Sequence, residues 1–162
     1  MQHEAIAPDV VHRTLNAIRA ARSLAASPLL DLVALGRQLD AEHMVDSPAS
    51  RAALLPRWLE GIVRGELARL RGDEGTGPAD ARAAEHWLER LAEDFRAHSI
   101  EREVWGALHF RFFSGHSHTV AQLAVGLGIN AKTLHRRIER GYQALAEVLR
   151  ERERAAALSV KR

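Results

Sequence analysis

With 162 residues the chain is long enough for one domain, or one domain with a helical extension, and can bury a core. Its residues are 46% hydrophobic and 27% charged, too apolar for a disordered chain, and the absence of cysteine excludes disulfides and thiolate metal sites. The net charge of +2 conceals an asymmetry: residues 130–162 carry nine Lys/Arg against four Glu, while the preceding residues carry fourteen basic and seventeen acidic groups. Positive charge gathered at one end suits a face that meets a polyanion, although a solvated arginine-rich helix has the same composition.

Ala, Leu, Arg and Glu dominate and β-branched runs are absent, so the composition predicts an all-α protein. The first helix is expected over residues 8–22, with Val11, Leu15 and Ile18 on one face. Ser27-Pro28 has the form of an N-cap followed by proline at the first helical position, opening a short helix that ends near Gly36; residues 38–46 are polar and read as a loop. Ser47-Pro48 repeats the signal. A helix follows to about Leu70, with Leu54, Trp58, Ile62 and Leu67 on one face and Pro56 as a kink or restart. The segment RGDEGTGP, residues 71–78, is the strongest breaker in the chain. It predicts an N-terminal helical subdomain, residues 1–72, suited to self-association or another interaction, and a second domain over residues 79–157.

Within the second domain, Trp87, Leu91 and Phe95 at spacing four mark a helix over residues 79–97. Ser99 caps the next, residues 100–113, which Gly115 ends. The longest stretch without Lys, Arg, Asp or Glu is Phe112–Ala131; Ser-Gly-His-Ser-His and Gly-Leu-Gly-Ile-Asn inside it mark a turn and a helix end rather than a membrane span. The opening MQHEAIAPDVVHR lacks the basic and apolar regions of a signal peptide, so the expectation is a soluble, cytoplasmic chain without a membrane partner.

Function concentrates after residue 118. Thr119-Val-Ala-Gln122 has the form of a capping box opening a short helix, Val120–Val125. Gly126-Leu-Gly128-Ile is a tight turn in which Gly128 can take positive φ, and Asn130 is a good N-cap for the following helix. Ala124 is small where two helices must touch, and Leu123, Leu127, Ile129, Leu134 and Ile138 supply apolar contacts. This is the layout of a helix-turn-helix. In the second helix, Leu134, Ile138, Gly141 or Tyr142, Leu145 and Leu149 face inward, while Lys132, Thr133, Arg136, Arg137 and Arg140 form a basic stripe. Arginine can donate two hydrogen bonds to guanine, and both cation types neutralise phosphates, so the stripe suits a groove of duplex DNA. The candidate DNA-binding residues are Thr119, Asn130, Lys132, Thr133, His135, Arg136, Arg137 and Arg140, with the helix at residues 130–142 in the major groove. RERERAAA, residues 150–157, prolongs that helix.

From Ala107-Leu-His-Phe-Arg-Phe-Phe-Ser-Gly through the run Val120 to Leu145, the chain resembles region 4 of sigma-70-type factors and related regulators. The resemblance implies that Lys132, Thr133, Arg136 and Arg137 are contact positions. The link from Gly115 to Thr119 is about two residues longer than usual in that family. Ala20-Ala-Arg-Ser-Leu-Ala-Ala-Ser-Pro-Leu-Leu, the helix near Leu55–Leu70, the glycine-rich break and Gln143-Ala-Leu-Ala-Glu-Val-Leu-Arg-Glu-Arg occur in an order similar to N-terminal modules of large bacterial signalling regulators, which precede ATPase, repeat or sensor domains. Residues 1–75 show no region 2 for promoter melting.

Other features point to bland roles. His109, His116 and His118 could gather at a turn, but without cysteines or a nearby carboxylate at ligand spacing they read as polar turn residues and no metal is expected. Trp58, Trp87 and Trp105 sit among Leu and Ile on helical faces and read as core. Glu93, Asp94, Glu101 and Glu103 read as solvated or ion-paired carboxylates. No catalytic triad, phosphate-binding loop or metalloprotease motif is present, so the expectation is a non-enzymatic regulator without a cofactor. Its expected partner is double-stranded DNA, bound as a homodimer or larger assembly, with RNA polymerase or a signalling ATPase as further partners. The competing class is a helical adaptor of the same fold that holds a protein and no DNA; such an adaptor has no need of four cations in one stripe.

Overall fold

The computed structural model describes residues 6–72, 86–115 and 118–160. The fold is all-α: among the described residues there are seven α-helices, one 3-10 turn and no strand. By contacts the chain forms two compact units, one of Met1–Leu59 with Tyr142–Arg162 and one of Glu60–Gly141. The expected boundary at residues 73–78 lies outside the described residues. None of the described helices is long and apolar enough to cross a membrane.

In the first unit, α1 (Pro8–Arg19) starts with proline at a position where no amide partner is needed, and it buries Val10, Val11, Thr14 and Leu15. It ends three residues before the expected Arg22. The Ala21 amide donates to the Ile18 carbonyl and the Arg22 amide to the Ala17 carbonyl, the paired bonds of a Schellman ending, with Ala21 at φ +50°. A glycine would mark such an end in sequence; alanine does not, and it holds this conformation at a cost of about 1–2 kcal/mol.

The next segment departs furthest from expectation. Ser27 caps a 3-10 turn, Pro28–Asp31, its hydroxyl accepting the Leu29 amide at 3.3 Å. A separate helix, α2 (Val33–Ala41), then runs on through residues 38–41 of the expected loop and carries Gly36 in its interior, not at its end. Leu32 offers no side-chain cap. The cap comes from Glu153, whose buried carboxylate accepts the amides of Val33 at 3.0 Å and Ala34 at 2.9 Å. Gly36 is there for room: a Cβ at that position would lie 2.7 Å from Arg51 Nη2. The same guanidinium donates to the Leu30 and Leu32 carbonyls at 2.6 and 3.2 Å and grips both oxygens of Asp46. That grip holds the Asp46 carboxyl below its ordinary range, chiefly through the Arg51 hydrogen bond.

Helix α3 (Pro48–Arg71) begins under Ser47, whose hydroxyl accepts the Ser50 amide at 3.1 Å, and continues through Pro56 without interruption. An internal proline costs about 3 kcal/mol. Leu54, Leu55, Trp58 and Leu59, buried on either side of it, offset that at about 1.5–3 kcal/mol per large side chain.

The second unit contains α4 (Trp87–Arg96) and α5 (Ile100–Phe112), which pack on each other, and α6 (Val120–Leu127), which packs on α4. It also holds the first turns of α7 (Ala131–Val160). Residues 79–85 of the helix expected before Trp87 lie outside the described residues. Ser99 caps α5 as expected, accepting the Arg102 amide at 3.3 Å, and Gly115 takes φ +75° beyond its end. Leu91, Val104, Trp105, Leu108, Phe110, Leu123, Leu134 and Ile138 form the core. Within it lies one carboxylate, Asp94, fully buried. It accepts Arg71 Nε and Nη2 at 2.9 and 2.6 Å and Arg102 Nε at 2.8 Å. Trp58 and Trp105 are core residues as expected, whereas Trp87 is half-buried and stacks on His118 at 4.3 Å.

Candidate nucleic-acid interface

Both halves of the capping box form. The Thr119 hydroxyl accepts the Gln122 amide at 3.1 Å, and Gln122 Oε1 accepts the Thr119 amide at 2.9 Å. Two orphan donors of the first turn are thereby satisfied. Helix α6 runs two residues beyond the expected Val125 and closes on Gly128 at φ +66°, with the Ile129 amide donating to the Ala124 carbonyl at 3.1 Å. A left-handed residue is what turns the chain within so few positions, and glycine takes that conformation without steric penalty. Asn130 then caps α7, its Oδ1 accepting the Lys132 amide at 2.8 Å.

Close packing holds this pair in place. Leu123, Ala124, Leu134 and Ile138 are buried, and Gly141 is buried where a Cβ would lie 3.1 Å from Leu108 Cδ1. On α6, a Cβ on Gly126 would lie 2.9 Å from Leu88 Cδ1, a close approach of α6 to α4 not anticipated from the sequence. Of the two residues expected at the inward position after Ile138, Gly141 is the buried one; Tyr142 is half-buried and stacks on His12 at 4.6 Å.

On the opposite face of α7, Lys132, His135, Arg136, Glu139 and Arg140 are exposed and Thr133 is half-buried. At 100° per residue, Lys132, Arg136 and Arg140 fall within about 80° of one another, and at 1.5 Å per residue they span about 12 Å along the axis. No ion pair within the described residues engages these three side chains. One acid, Glu139, shares their face. Asn130 and Thr119 are exposed at the start of each helix, with their side-chain oxygens engaged as caps.

Arg137 differs from its neighbours. Its Nε donates to Glu103 Oε2 at 2.6 Å, and the two side chains are only 23% and 15% exposed. Periodicity sets Arg137 at the edge of the stripe, between the exposed cations and the buried face, so the structure divides the expected contact set into three open cations and one paired one. No local pattern names Glu103 as its partner, because the two are thirty-four positions apart.

Of the three histidines expected at the turn, His109 and His118 lie within the described residues. His109 is mostly buried, its Nδ1 has no hydrogen-bond partner among the described residues, and its pKa is lowered to about 4. Burial is the main cause, reinforced by Arg64 and Arg71 and partly opposed by Asp94. The His118 carbonyl accepts Arg111 Nη1 at 2.7 Å, and His116 lies outside the described residues. Among the described residues no group of three or more potential metal ligands assembles. Comparison of the chain with protein-family models, with curated proteins and with solved structures finds no match in any of the three.

Proposed function

We propose that the chain is a non-enzymatic, DNA-binding transcriptional regulator in which the first three turns of α7 enter the major groove of duplex DNA. The observation that carries this reading is the exposed stripe of Lys132, Arg136 and Arg140, unpaired among the described residues, on a helix whose start is set by Gly128 and Asn130. Arg136 and Arg140 bind phosphates and position the helix; Lys132 and Thr133, nearest its N-terminus, reach base edges. Asn130, Thr119 and His135 border the same face. The resemblance of residues 107–145 to region 4 of sigma-70-type factors points the same way. A single helix of this kind makes few contacts, so the working form is a homodimer or larger assembly, in the cytoplasm with its DNA.

One observation favours the second reading, a helical adaptor that holds polymerase or a signalling ATPase. Val125 on α6 is 82% exposed, an apolar side chain beside the turn.

Binding to random-sequence duplex across a salt series separates the two. For the DNA reader, log affinity falls steeply with log salt, and Arg136→Ala/Arg140→Ala makes the slope shallower by about two, because each lost phosphate contact removes about 0.9. Absence of binding at low salt, in wild type and variant alike, selects the adaptor.

A further inference from the structure

Helix α7 carries a fourth cation that the fold holds half-buried against an acid. Arg137 stands one residue beyond Arg136, about 100° further round the helix, and its guanidinium lies against Glu103 in the first turn of α5. The 2.6 Å contact is a charge-assisted hydrogen bond between two largely buried side chains. The pairing offsets the charge of Arg137 and ties its guanidinium to α5, so a phosphate that draws it out must break that bond and leave the largely buried carboxylate of Glu103 unpaired. Among the described residues no ion pair engages the three cations of the stripe.

We propose that Glu103 is a specificity-determining residue of the DNA interface: it sequesters Arg137, so that binding runs on Lys132, Arg136 and Arg140 and non-specific phosphate affinity is held down. This rests on the DNA-binding reading. Restraint of one cation lowers the sequence-independent part of the affinity, which depends on the number of phosphates neutralised, and leaves base-edge contacts from Lys132 and Thr133 a larger share of the total.

The test uses the whole chain on random-sequence duplex across a salt series, with Arg137→Ala, Glu103→Ala, the isosteric Glu103→Gln, and Glu103→Ala/Arg137→Ala, each verified as helical by circular dichroism. Arg137→Ala keeps the wild-type salt slope, because Arg137 makes no contact. Release of Arg137 in Glu103→Ala steepens the slope by about one and raises low-salt affinity about threefold or more, with Glu103→Gln between it and wild type. The double variant returns to the wild-type slope, which assigns the gain to Arg137 and not to loss of a negative charge. A shallower slope in Arg137→Ala, an unchanged slope in both Glu103 variants, or a gain that persists in the double variant overturns the proposal and leaves the DNA reading standing. Absence of duplex binding by wild type and all variants at low salt overturns both.

Discussion

Asp94→Ala tests how the second unit is held together. The carboxylate has no exposure and accepts three hydrogen bonds from two guanidinium groups whose side chains are 14% and 21% exposed. Its position is closely fitted, since a Cβ on Gly106 would lie 2.8 Å from Asp94 Oδ2 and 3.2 Å from its Cβ. Removal of the carboxylate leaves Arg71 and Arg102 largely desolvated and unpaired, a change that costs about 3–5 kcal/mol. With a urea dependence of about 2 kcal/mol per molar, the unfolding midpoint followed by helical circular dichroism falls by about 1.5–2.5 M. The loss comes from the uncompensated cations rather than from missing attraction as such. Asp94→Ala/Arg71→Met/Arg102→Met therefore recovers most of it, to within about 1–2 kcal/mol of wild type. A midpoint for Asp94→Ala within ~0.3 M of wild type would refute the reasoning.

Two further outcomes follow from buried ionisable groups. Glu153→Gln weakens the distant cap of α2, and stability falls by about 1–2 kcal/mol with faster hydrogen exchange at the Val33 and Ala34 amides; unchanged exchange there would show that α2 needs no such cap. His109 gives a pH dependence. Its folded pKa, about 4, lies below the ordinary 6.5, so the unfolded chain binds the proton first as pH falls. The stability contributed by neutral His109 is fully present above pH 6.5 and is lost progressively down to pH 4. Between pH 7 and pH 5 wild type loses about 2 kcal/mol more than His109→Gln, measured as urea midpoints, and equal losses in the two proteins would rule this out.

The all-α class, the caps at Ser27, Ser47, Ser99, Thr119 and Asn130, the left-handed turn at Gly128 and the inward face from Leu134 to Leu149 were legible in the sequence alone. Each rests on side chains within a few residues of the backbone groups they satisfy, or on a 3.6-residue period, so a short window contains the whole cause. Tertiary structure decided the rest. The ends of α1 and α2 turn on Ala21 and His43 at positive φ, residue types that do not announce a helix end. The start of α2 depends on Glu153, about 120 positions away; Gly36 depends on Arg51; and the pairing of Arg137, one of four expected contact cations, depends on Glu103. Each of those interactions sets a charged side chain against a group that only the packed chain brings within reach, and there desolvation makes the choice of partner matter most.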